Sequence, residues 1–271
     1  MSAVLPNEPV LVGVGQAVHR PEDGPPPSLV DLMTAAARAA GDDAGGGLLA
    51  AVEWVGALKG AWTHPDPARE VAAAVGAPGA HTVLAEVGIT QQEVLDTALA
   101  AVQGGRRAAL LLGGEVNHGS TGGAAGAVRE ARGAEAEPDE HLISHDLGLS
   151  PVEVEHRFFD PPLVYAVMEN AFAAGQGWDA AEHHRRLGAL TERFAAVAAD
   201  NPHAWSREAP SAEQIATPSP ENRQVSIPYT KLMNSNIQTY QAAALVVCSA
   251  SAAAEHGIDT SAQVHVLGTA T

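Results

Sequence analysis

Short apolar runs that alternate with alanine-rich helical segments constrain this chain more than any other feature. Residues 10–16 (VLVGVGQ), 52–59, 81–87 and 108–116 (AALLLGGEV) each have the length and aliphatic content of a buried strand. Between the first two, Leu29, Leu32, Met33, Ala36 and Ala40 recur at helical spacing behind Ser28, an N-cap residue. Residues 68–75 form a short helical pattern closed by Gly76 and Pro78. Residues 91–103 form a longer one, opened by Thr90 with Glu93 in capping-box spacing and stopped by Gly104 and Gly105. Strand–helix repetition of this kind predicts an α/β fold on a parallel sheet covered on both faces.

The texture changes at Asn117. Residues 119–133 are rich in Gly and Ala, and residues 134–140 are acidic. Helical patterns follow over 162–174 and 179–199, then turns at Pro210, Pro218 and Pro220. The sheet pattern resumes with a strand at 242–248, a helix at 251–256 and a strand at 263–267. The organisation is therefore an α/β domain of residues 1–116 and 239–271, with residues 117–238 as an inserted loop domain. A strand of buried type so close to the last residue is expected to need a partner, as though the chain were half of something.

Charge narrows the function classes. Asp and Glu number 32 against 15 Lys and Arg, a formal charge of −17, and Lys59 and Lys231 are the only lysines. Such a field repels polyphosphate, so nucleic acid is not an expected partner. One cysteine, Cys248, excludes an intrachain disulfide and a thiolate zinc site. Residues 1–9 lack the basic and apolar regions of a signal peptide, and no apolar stretch reaches the about eighteen residues of a membrane span. The expected setting is cytoplasmic.

Several motifs invite chemistry. Gly13-Val14-Gly15 follows a strand, but the third glycine of a dinucleotide loop is missing and a Pro-rich loop stands where a helix should begin. These glycines are expected to serve close backbone packing. His141 and His145 have helical metal spacing without the glutamate or third ligand of a hydrolytic zinc site, and read as loop histidines. His183, His184, Arg185, Arg186 and Arg193 form the densest cationic stretch, either a phosphate contact or a solvent-facing helix side. Cys248 lies inside an apolar run and is expected to be a buried hydrophobe. Residues 201–205 (NPHAW) and 228–236 (PYTKLMNSN) place amides and aromatics in Pro-bounded loops, as a binding surface or as ordered surface.

Val12-Gly13-Val14-Gly15-Gln16, Gly113-Gly114-Glu115 and residues 228–249 (PYTKLMNSNIQTYQAAALVVCS) together resemble the thiolase superfamily. Within it, the chain looks like bacterial thiolase-like proteins of the acetyl-CoA acetyltransferase type, related to sterol-carrier thiolases. The resemblance covers essentially the whole chain. It implies the first βαβαβαββ half of a two-half fold plus its mainly helical loop domain. The second half, which carries the family's activating histidine and acid/base cysteine, has no counterpart here.

The family chemistry so implied is Claisen condensation or thiolysis of acyl-CoA through a cysteine at a helix start. Counting from Gly105 and Gly113-Gly114, that position falls at about Gly88, before Ile89-Thr90-Gln91-Gln92, and no cysteine is near. Gly88 and Thr90 are therefore expected to shape a thioester or oxyanion pocket without supplying a nucleophile. By the same resemblance Lys231, Asn234 and Asn236 fall along the pantetheine channel, and Arg185 and Arg186 lie where the loop domain grips the nucleotide end of CoA. The usual Asn-Asp-Gly turn is Thr239-Tyr240-Gln241 here. Acyl-CoA is the implied ligand, with no covalently bound cofactor. A homo-oligomer or a complementary C-terminal half is the implied partner. The alternative is a non-catalytic thiolase-fold scaffold.

Overall fold

A computed structural model describes residues 5–45, 47–116, 137–144, 150–156, 158, 160–236 and 238–270. Strand β1 (Pro9–Val18) is followed by α1 (Leu29–Ala44), β2 (Val52–Leu58), α2 (Pro67–Ala74), β3 (His81–Ala85), α3 (Gln91–Gln103) and β4 (Ala108–Val116). Then come β5 (Glu140–Leu142), α4 (Pro151–Glu155), α5 (Pro161–Gln176), α6 (Ala180–Asp200) and α7 (Ala212–Ala216). The chain continues through β6 (Gln224–Ser226), β7 (Tyr229–Thr230), β8 (Tyr240–Ser249), α8 (Ala250–Glu255) and β9 (Val264–His265).

The main sheet runs β5-β3-β2-β4-β8-β1-β9. Pairs β2–β3, β2–β4 and β3–β5 are parallel, whereas β8 runs antiparallel to both β4 and β1, and β9 antiparallel to β1. The parallel-sheet expectation is corrected here. Strands β1 to β4 do share a direction, but β8 lies reversed between β4 and β1. Hydrophobic periodicity carries no sign of strand direction. The handedness rule that orders β1 to β4 acts through crossover helices, and β8 is reached by the long excursion instead. His141, expected in a loop, lies in β5; its companion His145 is outside the described residues.

Alternation along the strands divides the core. Val10, Val55, Leu110, Leu112, Val246 and Cys248 face the layer of α1 and α2, against Leu29, Met33, Ala36, Ala40 and Val71. Trp54, Val83, Ala109, Leu111 and Val247 face α3, against Val94, Ala98, Leu99 and Val102. A bulge between Leu11 and Gly13 turns Gly13 and Gly15 toward α1. Away from α3, Val14 and Val264 are each 62% exposed.

The β5 edge is secured by a polar clamp. Buried Thr82 donates from Oγ1 to Asp66 Oδ2 at 2.9 Å and from its N–H to Asp139 Oδ2 at 2.8 Å. Arg69 Nη2 donates to Thr82 Oγ1 at 2.9 Å and to Asp139 Oδ1 at 3.1 Å. The Thr82 N–H, helped by Arg69, holds the Asp139 carboxyl below the usual range.

Contacts divide the chain into two units, Met1–His145 with Ile237–Thr271, and Asp146–Asn236. The first unit's sheet takes in residues 140–142, which the sequence division places in the insertion. In the second unit α6 packs on α7, and Asn222, 4% exposed, ties α7 to the segment after β7. No described helix is long and apolar enough to cross a membrane.

Candidate functional site

Because β1, β2 and β4 share a direction, their carboxyl ends meet at one end of the first unit's sheet, beside the start of β8. Ligand sites of open α/β sheets lie at such an end. Here an open cleft of about 430 Å³ is lined by Gln16, Lys59, Gln91, Glu115, Thr239 and Gln241, with small residues of β4 and β8 between them.

Glu115 is half-buried at the end of β4. The Ala61 N–H donates to its two carboxyl oxygens at 3.0 and 3.3 Å. Burial pushes the carboxyl up from its ordinary range, and the Ala61 bond opposes that only in part. The neighbouring backbone is held close: a Cβ on Gly60 would stand 2.4 Å from Glu115 Oε1 and 2.5 Å from Trp62 Nε1. Trp62 Nε1 donates to the Gly114 carbonyl at 2.9 Å, and the Lys59 ammonium stands 4.7 Å from the Trp62 ring centroid. Lys59 thus brings a cation to the cleft wall.

The start of α3 reaches the same cleft through Gln91. Gly88 has φ +107°, a left-handed turn conformation that glycine adopts without strain. Thr90 Oγ1 accepts the Glu93 N–H at 3.2 Å, while the Glu93 carboxylate accepts the Thr90 N–H at 2.7 Å and its hydroxyl at 2.9 Å. The Thr90 backbone bond, chiefly, holds Glu93 below the ordinary carboxylate range. The Thr90 hydroxyl is thereby committed to the capping box, and a carboxylate already occupies the helix start. Gly88 and Thr90 shape the turn; Gln91 is the residue that faces the cleft.

The other expected site residues belong to the second unit. Arg185 and Arg186, on α6, both bind the Glu182 carboxylate, which they hold below its ordinary range. Arg186 also lies 4.4 Å over the Trp178 ring. His183 beside them is buried, with Nε2 2.9 Å from Glu169 Oε1, and the Tyr229 hydroxyl donates to Glu169 Oε2 at 3.2 Å. Burial and Glu169 push Tyr229 up to about 12. Lys231 begins an exposed 3-10 turn, Lys231–Met233. Asn234 Nδ2 closes that turn onto the Thr230 carbonyl at 2.8 Å, and Asn236 is exposed two residues on. Among the described residues no group of three His, Cys, Asp or Glu side chains is placed to hold a metal ion.

A monomeric SCP2-thiolase-like protein type 1 from Mycobacterium smegmatis shares this architecture, with a TM-score of 0.74 and 28% identity over 98% of the chain. The chain belongs to the thiolase superfamily. It spans 51% of that neighbour's length, about half. An Ltp2-ChsH2(DUF35) aldolase matches 93% of the chain and 58% of its own at TM-score 0.59 and 19% identity. The dimeric peroxisomal thiolase of Saccharomyces cerevisiae matches 95% of the chain and 68% of its own, at TM-score 0.55 and 13% identity. No family model and no curated protein matches the sequence.

In the first unit Cys248 is fully buried in β8, paired across to Val10 and Ala108 at the strand's carboxyl end, whereas the cleft borders its start. Burial pushes the thiol up to about 11. At pH 7 the thiolate is then about one part in ten thousand. A disulfide reagent is expected to label Cys248 at least about 100-fold more slowly in the native chain than in denaturant. Fast native labelling in a stopped-flow assay would show the thiol at the surface and overturn its place as a buried hydrophobe.

Sequence reasoning named neither Glu115 nor Gln16, Lys59 and Gln241 as site residues, although Gln16, Glu115 and Gln241 stood in segments it singled out. The usable signal was position: each lies at the cleft end of a sheet strand or in the turn next to it.

Proposed function

We propose that this chain is the acyl-CoA-recognising half of a thiolase-like enzyme of the acyltransferase type, completed by a complementary half. The observation that carries the reading is the cleft at the strand ends. Its volume of about 430 Å³ lies within the range of small-molecule sites. Its wall offers the amides Gln16, Gln91 and Gln241 and one carboxyl, groups that suit the amides and thioester of an acyl-pantetheine arm. With no cysteine at the start of α3, the acyl group stays on CoA, and the chemistry left to the site is making or breaking a bond at the acyl α-carbon. One structural neighbour is itself described as an aldolase. Coenzyme A enters as substrate, not as a resident cofactor. Lys231, Asn234 and Asn236 serve the pantetheine arm, and Arg185 and Arg186 serve the nucleotide phosphates by exchanging Glu182 for phosphate oxygens.

Isothermal titration with coenzyme A and acetyl-CoA tests this. Micromolar binding is expected, about −8 kcal/mol, weakened about tenfold by Arg185→Ala and by Asn234→Ala. A second reading, a non-catalytic scaffold, rests on the exposed Val14 and Val264 on the first unit's sheet, apolar surface that a second half or a second copy would cover. A folded chain that binds neither ligand, and gains stability only with a partner, supports the scaffold and sinks acyl-CoA recognition.

A further inference from the structure

We propose that Lys59 makes the strand-end cleft a site for a thioester whose acyl group ends in a carboxylate. This rests on the acyl-CoA reading above and adds the class of acyl group that the site selects. Lys59 directly follows β2 and lines the cleft. Both of its ends are fixed. Its N–H donates to the Ala85 carbonyl at 2.8 Å, and its ammonium stands 4.7 Å from the centroid of the Trp62 ring. That ring is itself anchored: Trp62 is 3% exposed, and its Nε1 donates to the Gly114 carbonyl at 2.9 Å.

What Lys59 lacks is an anion. Arg69, Arg107, Arg185 and Arg186 each hold a carboxylate of the chain. Lys59 is half-buried, yet among the described residues its ammonium pairs with no carboxylate, although acidic residues outnumber basic ones 32 to 15. A ring face attracts the cation but offers no oxygen, so the ammonium N–H groups remain for water or a ligand. A carboxylate arriving there makes a charge-assisted hydrogen bond in a partly dry site. A neutral acyl chain of equal length displaces the same water and leaves the ammonium without an acceptor, which is a cost. The amides Gln16, Gln91 and Gln241 suit either kind of thioester, so the discrimination falls to Lys59. Glu115, the carboxyl of the same wall, is turned to the Ala61 N–H and repels a ligand carboxylate, which confines its seat to the Lys59 side.

Succinyl-CoA and butyryl-CoA are the probes, because their acyl chains have equal carbon number, they share the nucleotide, and only the first ends in a carboxylate. Isothermal titration of the full chain is expected to show succinyl-CoA bound about tenfold tighter than butyryl-CoA. Lys59→Met fills the space over Trp62 without a charge and is expected to bring that ratio to about one. Lys59→Arg, still cationic and able to stack on the ring, is expected to keep most of it. A purely structural role would lower both affinities together, so a Lys59→Met variant that loses both thioesters alike overturns the selection. A ratio that survives Lys59→Met overturns it too. Equal affinities in the parent chain do the same and leave the acyl-CoA reading in place. Binding of neither thioester by the folded parent chain overturns the acyl-CoA reading, and the ligand class assigned to Lys59 with it.

Discussion

Gly15→Ala is expected to cost about 3 kcal/mol of stability or more, a large fraction of what a domain ordinarily has. A Cβ at that position would stand 2.1 Å from the Ala36 carbonyl oxygen and 2.4 Å from the Ala40 N. At Gly13 it would stand 2.1 Å from the Ala40 carbonyl oxygen. Those neighbours are backbone atoms of α1, so no rotamer change relieves the clash, and the helix must lift off the sheet. Lifting it opens the contact of Leu29, Met33, Ala36 and Ala40 with β1 and β8, the larger of the two core faces. Gly41→Ala, in the same helix, is the control. Its Cβ would meet Leu49 Cδ1 at 2.4 Å, the end of a flexible side chain, and alanine gains about 1 kcal/mol of helix propensity over glycine. Urea unfolding of both variants decides the matter. Equal small losses would mean that α1 does not sit this close to β1.

Asn222→Leu is expected to cost the second unit about 3 kcal/mol. Asn222 is buried, and its Nδ2 donates to the Gln214, Ile215 and Thr217 carbonyls at 3.0, 2.9 and 3.1 Å. Its Oδ1 accepts the Leu232 N–H at 2.9 Å. Leucine has similar volume and none of these groups, so the Leu232 N–H and the Gln214 and Thr217 carbonyls lose these bonds, and the Ile215 carbonyl keeps only its bond from the Thr230 hydroxyl, while the packing stays filled. The loss falls on the 3-10 turn that carries Lys231 and leads to Asn234. Amide exchange at Leu232 should therefore accelerate by on the order of 100-fold if the turn opens with the unit. Unchanged exchange there would separate Asn222 from the turn, and Asn234 would then owe its place to its own bond with Thr230 alone.

These two residues mark the difference between what was legible in the sequence and what was not. The glycines of β1 were readable as packing residues because the absence of a third glycine and the Pro-rich loop argued against phosphate binding. Which helix they meet, and that both turn the same way after a bulge, came from the fold. Asn222 gave no signal at all, since its partners come from α7 and from the turn after β7, eight residues before it and ten after. Arg185 and Arg186 had a readable partner in Glu182, three and four residues earlier on the same helix, a pairing that spacing alone offers.

Elements and caps were set by local sequence, because helix starts, stops and strand runs depend on residues within a few positions of one another. The Thr90–Glu93 box at α3 is a fact of this kind, and the structure places it as the spacing predicts. The direction of β8, the pairing of residues 140–142 with β3, and the strand-end cleft were decided by tertiary structure alone. Strand pairing is a long-range choice, made by which buried faces and backbone groups can be satisfied together, and periodicity within one strand does not encode its neighbour. Glu115 comes to line that cleft only because residues from four separate segments close around it and take its carboxyl partly out of water.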